Sequence, residues 1–278
     1  MPPLKPATRG EIEETSEVRS VATSNHRVAR MNHEEQRRAM TAQHHDHRRV
    51  IAIDGPAAAG KTTVARELAN SVGAILFDTG ALYRSVTLAA LRRGIASDDR
   101  DQLRVLARDL VIELRPPTVD DGRSVDVLLD GEDVTWDIRT PLVDAHVSDV
   151  SALPEVRSEL LELQRSIASG RPVVMVGRDV GTVVTPGAGV KIYLDASVEE
   201  RARRRIAELT ARGVAFDAQS IIDDLKERDR IDSTRALSPL AVADDATHVN
   251  TDGKDVREVV AELKRIVAQA WAALGVAS

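Results

Sequence analysis

The chain has 278 residues, 42% of them hydrophobic, 29% charged and only 2% aromatic, which is the balance of a folded protein whose core is built from Val, Ile, Leu and Ala. It contains no cysteine, which excludes disulfides, thiolate metal sites and a cysteine nucleophile, and fits a reducing cytoplasm. The net charge of −6 argues against a broad nucleic-acid-binding surface, and no apolar run is long enough to span a bilayer, so neither nucleic acid nor membrane is expected as a partner.

Residues 1–49 stand apart. They hold nine Lys and Arg, seven Asp and Glu and five of the seven His, with few large apolar residues. That composition predicts a disordered tail. It lacks the apolar segment of a signal peptide and is too acidic for a transit peptide. A short helix over 32–40, a metal site at His44, His45 and His47, and a translation start at Met31 or Met40 are the alternative readings. Residues 50–278 carry 29 basic and 37 acidic side chains, a net of −8, so any anion site must be a local cluster of cations.

From Val50 strand and helix signals alternate. Strands are predicted over Val50–Ile53, Ala74–Phe77, Pro172–Val176, Val190–Leu194 and Thr247–Asn250. Helices are predicted over Thr62–Ser71 and Leu82–Arg93, around Leu103, Leu106 and Leu110, over Pro154–Ser169 with Gly170 ending it, and over Asp255–Leu274. On the last of these, Val256, Val259, Val260, Leu263, Ile266, Val267, Ala270, Trp271 and Leu274 share a face. Alternation of this kind predicts a parallel sheet with helices on both sides. Three short strands break it, at Val111–Leu114, Val125–Leu129 and Asp133–Trp136; Asp130-Gly131 suits a two-residue hairpin turn, which predicts a small antiparallel insert.

Gly55-Pro56-Ala57-Ala58-Ala59-Gly60-Lys61-Thr62 fits G-x-x-x-x-G-K-[ST] between a predicted strand and a predicted helix. Its glycines let backbone N–H groups turn around a phosphate, the helix adds its positive dipole end, Lys61 reaches the β- and γ-phosphates, and the Thr62 hydroxyl can ligate Mg²⁺. Neither the base-reading Asn-Lys-x-Asp of GTPases nor the Leu-Ser-Gly-Gly of transport ATPases is present, and no acidic run closes an apolar strand, which leaves small-molecule kinases. These need a second anion pocket. Asp78-Thr79-Gly80-Ala81-Leu82-Tyr83-Arg84 offers a helix start with a free hydroxyl and an arginine one turn on; the plain alternative is a capped helix with a surface arginine. Gly177-Arg178-Asp179 follows the most apolar strand, where ligands of parallel sheets bind. Arg228, Asp232 and Arg235 share a face if helical, or form a solvated face. Ser197 and Glu200 have capping-box spacing ahead of Arg201, Arg203, Arg204 and Arg205, which are either a lid over ATP or a basic helix surface.

Taken together, residues 50–278 resemble the bacterial cytidylate kinases, a family of nucleoside monophosphate kinases. The resemblance rests on Ile53-Asp54-Gly55-Pro56, the phosphate loop, Asp78-Thr79-Gly80-Ala81, Gly177-Arg178-Asp179-Val180-Gly181-Thr182-Val183-Val184, Lys191-Ile192-Tyr193-Leu194-Asp195-Ala196-Ser197 and Lys226-Glu227-Arg228-Asp229. It implies a three-layer α/β phosphate-loop kinase with an antiparallel insert and a short helical lid. The monophosphate-binding region would span about 79–170 and the lid about 197–235. By this resemblance ATP binds Gly55, Pro56, Ala57, Ala58, Ala59, Gly60, Lys61, Thr62, Thr63 and Arg204. Thr79, Arg84, Arg178 and Arg228 hold the acceptor phosphate; Ser148, Arg157, Asp179 and Arg235 read the cytosine edge; Asp232 contacts the sugar and Tyr83 lies near the acceptor. Lys61, Arg178 and Arg228 form the catalytic set. The implied reaction moves the γ-phosphoryl of ATP to CMP and dCMP with Mg²⁺, in a cytoplasmic monomer. A kinase for UMP or AMP, and a non-catalytic ATP-binding module, are the alternatives; the acceptor-side arginines speak against the second. The chain departs from the family pattern at Val176, where the pattern has aspartate before Gly-Arg-Asp, and in the 49 residues at its start.

Overall fold

The computed structural model describes residues 47–168, 172–211 and 213–276, all within the unit His45–Ser278. The expected tail up to residue 46, including the helix over 32–40 and His44 and His45, lies outside the described residues, as do Ser169 and Gly170. Among the described residues no group of His, Cys, Asp and Glu is arranged to hold a metal by itself, and no helix is long and apolar enough to cross a membrane.

The five apolar runs form one sheet. Strands β1 (Val50–Asp54), β2 (Ile75–Asp78), β6 (Val173–Gly177), β7 (Val190–Asp195) and β8 (Thr247–Asn250) lie in the order β2-β6-β1-β7-β8, all parallel. Both faces of β1 and β6 are buried, which is why they read as unbroken Val and Ile rather than as an alternating pattern. Ile51, Ile53, Val174 and Val176 pack against helices α1 (Lys61–Ser71) and α8 (Val256–Ala273). Val50, Ala52, Val173 and Met175 pack against α2 (Thr79–Arg92), α3 (Arg100–Asp109), α4 (Pro141–Ala152) and α5 (Pro154–Ile167). The result is the expected three-layer α/β architecture.

Several boundaries move. Each of β1, β2, β6 and β7 runs one residue further than its apolar stretch, and the added residues are Asp54, Asp78, Gly177 and Asp195. Helix α2 begins at Thr79 because the Asp78 carboxylate caps it, accepting from Gly80 N–H. On α8 the buried stripe is Val259, Leu263, Val267 and Trp271; Val256 and Leu274, at the two ends, are 43% and 38% exposed. Asp255 and Glu258 close a capping box at its start. Helix α4 is not predicted by the sequence reading. Its apolar positions are Val143, Val147 and Val150, β-branched residues with modest helix propensity, and Thr140-Pro141 at its entry is the signal that marks it.

The antiparallel insert is present as β3 (Ile112–Arg115), β4 (Asp126–Leu129) and β5 (Glu132–Asp133). Asp130 and Gly131 take the expected turn with φ of 51° and 85°. The third strand is shorter than predicted: Val134 turns inward and Trp136 begins the next turn, its indole N–H donating to Asp121 at 2.8 Å. Helices α6 (Val198–Ala211) and α7 (Ala218–Thr234) pair through Ala202, Leu209, Ile221 and Leu225, and this small cluster also covers Ala57.

Candidate active site

The carboxyl ends of the parallel strands meet at one edge, and the chemistry collects there. The loop Gly55–Gly60 leaves β1 and enters α1. Gly55 packs so tightly on β7 that a Cβ would stand 2.0 Å from the Leu194 carbonyl oxygen, and Gly60 turns the chain into the helix at φ 87°. The Lys61 side chain is buried and folds along the loop, its ammonium donating to the carbonyls of Gly55 at 2.8 Å and Pro56 at 2.6 Å. Burial and the nearby Arg178 push this ammonium well below the ordinary lysine range, while Asp78, Asp54 and Asp232 pull it back. The Thr62 hydroxyl donates to the Asp78 carboxylate at 3.0 Å, and Thr63 is exposed on the first turn of α1.

Two arginines of α6 brace the loop from outside. Arg201, buried, donates to the Ala57 carbonyl at 3.2 Å and is held by Asp229. Arg204 donates to the Ala59 carbonyl at 3.2 Å and to Thr251 after β8. The reading of a basic helix surface holds for Arg203, which is 69% exposed and paired with Glu200. It fails for Arg201, Arg204 and Arg205, which turn inward to partners on the loop and α7, on the loop and Thr251, and on α4, respectively. Of the expected capping box only the Ser197 half forms, with Glu200 N–H donating to its hydroxyl; the Glu200 side chain is taken by Arg203 and Arg204.

Beyond β6 the remaining predicted residues converge in two groups. In the first, the Asp179 carboxylate accepts from Arg157 Nη2 and faces Arg235 Nη2 at 3.7 Å, all three side chains being nearly fully buried. Arg157 also donates to the Ser151 carbonyl at 3.1 Å and lies 5.1 Å from the centre of the Tyr83 ring. Ser148, on α4, is buried. Burial pushes the Tyr83 hydroxyl up, against the pull of Arg157. In the second group, Arg178 donates to Asp232 at 2.8 Å, and Asp232 also faces Arg235 at 3.5 Å. Arg84 is bound to Asp144 at 2.6 Å and to the Ile138 carbonyl at 3.0 Å, and Arg228 lies 3.6 Å from Asp144. Burial, with Arg84 close by, lowers the Arg228 guanidinium to about 10.

One sequence expectation needs correction. The Thr79 hydroxyl is not free: it donates to the Val176 carbonyl at 2.8 Å, tying α2 to β6. Val176 itself turns its side chain into the core, so no polar group stands there. Two carboxylates outside the predicted set prove central. Asp54 accepts N–H bonds from Val180 at 2.8 Å and Gly181 at 2.7 Å, fixing the single π-type turn Val180–Val184. Asp144 gathers arginines from three other helices. Asp54 shows in the sequence as the residue after an apolar strand and within the Ile53-Asp54-Gly55-Pro56 motif, but nothing there points to its partners; Asp144 sits in α4, which the spacing does not predict.

A parallel sheet of this order, with a glycine-rich phosphate loop after its central strand and a cation-lined cleft beside it, defines a phosphate-loop kinase. The family model for cytidylate kinase matches residues 51–269. The chain is 50% identical to the cytidylate kinase of Pelotomaculum thermopropionicum over 219 residues, 79% of this chain and 94% of that one. It is 47% identical to the cytidylate kinase of Herpetosiphon aurantiacus, over 75% of this chain and 90% of the other, and 48% identical to that of Carboxydothermus hydrogenoformans, over 78% and 96%. The chain belongs to the cytidylate kinase family.

Proposed function

We infer that this protein transfers the γ-phosphoryl group of ATP to CMP, giving CDP and ADP, and accepts dCMP in the same site. The observation that carries the reading is the meeting, at one sheet edge, of the phosphate loop with a buried arginine–carboxylate network facing it. Asp54, which leads into the loop, pairs with Gly177, which leads into Arg178, so the donor and acceptor residues stand side by side at the ends of β1 and β6.

The donor phosphates lie on the loop N–H groups and the start of α1, with Lys61 swinging from the Gly55 and Pro56 carbonyls to the β- and γ-oxygens. Arg204 flanks the loop beside the donor. Magnesium fits the oxygens at the loop mouth: the Thr62 hydroxyl and the Asp78 carboxylate are the hard donors such an ion takes. Those two residues would hold it, and when bound it neutralises charge on the β- and γ-phosphates. Arg84, Arg178 and Arg228 hold the acceptor phosphate in line. No protein nucleophile is needed, because a phosphate monoester attacks as an anion, and catalysis is mostly positioning and charge stabilisation. Helices α6 and α7 form the lid that excludes water, and α2 with the insert and α4 form the acceptor side.

Base selection follows from Asp179. A carboxylate has about four lone-pair positions, so it can keep Arg157 and Arg235 and still accept from the 4-amino group of cytosine. Uracil presents a carbonyl there, which faces the carboxylate without a proton between them. A coupled assay with ATP and CMP, dCMP, UMP and AMP tests the reading: CMP and dCMP should turn over well and UMP and AMP poorly. Equal turnover of UMP and CMP would overturn it.

A further inference from the structure

Arg84, Arg205 and Arg228 come from α2, α6 and α7, yet all point at one side chain of α4. Asp144 Oδ1 accepts from Arg84 at 2.6 Å and lies 3.6 Å from Arg228; Oδ2 accepts from Arg205 at 2.8 Å. The carboxylate is only 17% exposed. Burial alone would raise its pKa, but Arg84, Arg228 and Arg205 hold it below the usual carboxylate range. Arg228 Nε is buried without a hydrogen-bond partner among the described residues, so the cluster keeps an unused donor. Counting its interior, Arg84, Arg178, Arg205 and Arg228 stand against Asp144 and Asp232, with Glu208 as a further, exposed partner of Arg205. Four guanidiniums share two inward carboxylates, one of which also serves Arg235, so the cluster keeps an excess of positive charge for an anion.

A carboxylate and a phosphate monoester offer the same thing to a guanidinium: adjacent anionic oxygens in a fork. We propose that Asp144 is a positioning residue that stands in for the acceptor phosphate, holding Arg84, Arg205 and Arg228 around one anion and competing with the incoming phosphate for them. The proposal rests on the reading of this cluster as the acceptor-phosphate pocket. It has two consequences with opposite signs. The arginines are held together in advance, which spares the ordering cost of collecting three long side chains. The acceptor must also displace or share a like charge, which weakens its phosphate-dependent binding.

Titration of the full chain, its phosphate loop first saturated with a non-hydrolysable ATP analogue, with CMP, cytidine and inorganic phosphate separates these terms. Asp144→Asn keeps the shape and removes the charge. It should tighten CMP and inorganic phosphate by about tenfold and leave cytidine unchanged, as expected when one like charge is removed from a partly buried anion site. Asp144→Ser, smaller and also neutral, should shift the same two ligands in the same direction, and melting temperatures verify that both variants are folded. If either folded variant binds phosphate and CMP as wild type or more weakly, Asp144 is a strut and the proposal is overturned. Arg228→Met isolates the underlying reading. It should abolish inorganic phosphate binding and bring CMP down toward cytidine; if phosphate binding survives it, the anion lies elsewhere and pocket and proposal fall together.

Discussion

Asp54 closes β1 inside the protein, 5% exposed, and its carboxyl is pushed up to about 6 by burial, against the N–H bonds from Gly181 and Val180 and the charge of Lys61. The folded protein therefore takes up this proton more readily than the unfolded chain, whose carboxyl titrates near 3.8. The group's contribution to stability is complete below about pH 3.8 and falls away as pH rises toward 6, a loss on the order of 3 kcal/mol. Asp54→Asn removes that titration. The melting temperature of the wild type minus that of the variant should fall between pH 4 and 6.5; a difference that stays level with pH would contradict the assignment. At the same scale Asp179 should set base choice. Asp179→Asn keeps an acceptor for the cytosine amine and, with its amide turned over, gains a donor for the uracil carbonyl. The kcat/KM ratio of CMP to UMP should narrow by about 10², with UMP improving in absolute terms. A ratio unchanged from wild type would remove Asp179 from base reading. Asp179→Ala is the poorer probe, because it leaves buried Arg157 and Arg235 without their counter-ion. The phosphate loop is legible in the sequence because its glycines and lysine follow from local geometry. Asp54 and Asp144 are not, because a carboxylate's partners here lie 126 and 61 residues along the chain, respectively.

Helix α6 is the element that joins the two halves of the site. Its Arg201 and Arg204 reach the carbonyls of Ala57 and Ala59, and its Arg205 reaches α4. Arg201→Met keeps the aliphatic stem and removes the bonds to Ala57, Ala196 and Asp229. The Asp229 carboxylate is 27% exposed and can return to water, so the loss should stay near 1–3 kcal/mol. The phosphate loop loses its outer brace, so KM for ATP should rise several-fold more than KM for CMP. An equal rise in both would mean that α6 supports the fold rather than the loop. The sheet is legible because buried parallel strands demand runs such as Val173-Val174-Met175-Val176, whereas α4 is hidden because its valines suit a strand as well as a helix. The inward arginines of α6 are half legible: their spacing is written in the chain, but which of them faces the loop depends on where α7 packs.

At the scale of the molecule, the sheet separates two apolar clusters, one under α1 and α8 and one under α2 to α5 and the insert, and the charged residues of the site collect where the strands end. The turn His47–Arg49 leads directly into β1, and the His47 carbonyl accepts from Gly189 N–H at 2.9 Å. The family match begins at residue 51. A chain starting near Gln43 keeps this turn and should retain wild-type turnover and melting temperature. A loss of several degrees would show that residues 1–42 support the folded core. A chain starting at Ile51 forfeits the His47 bond and the first residue of β1, and should melt lower than the longer one.

The scarcity of aromatic residues has a practical consequence for optical work. The two tryptophans lie far apart in kind: Trp271 is 5% exposed in the cluster under α8, while Trp136 is 39% exposed beside the insert with its indole N–H on Asp121. Neither belongs to the cleft. Replacing Trp136 with Phe leaves an emission that follows the core alone, and replacing Trp271 leaves one that follows the insert. With no other indole to subtract, melting of the acceptor-side insert and of the sheet's opposite layer can be recorded as separate colours from the same fold.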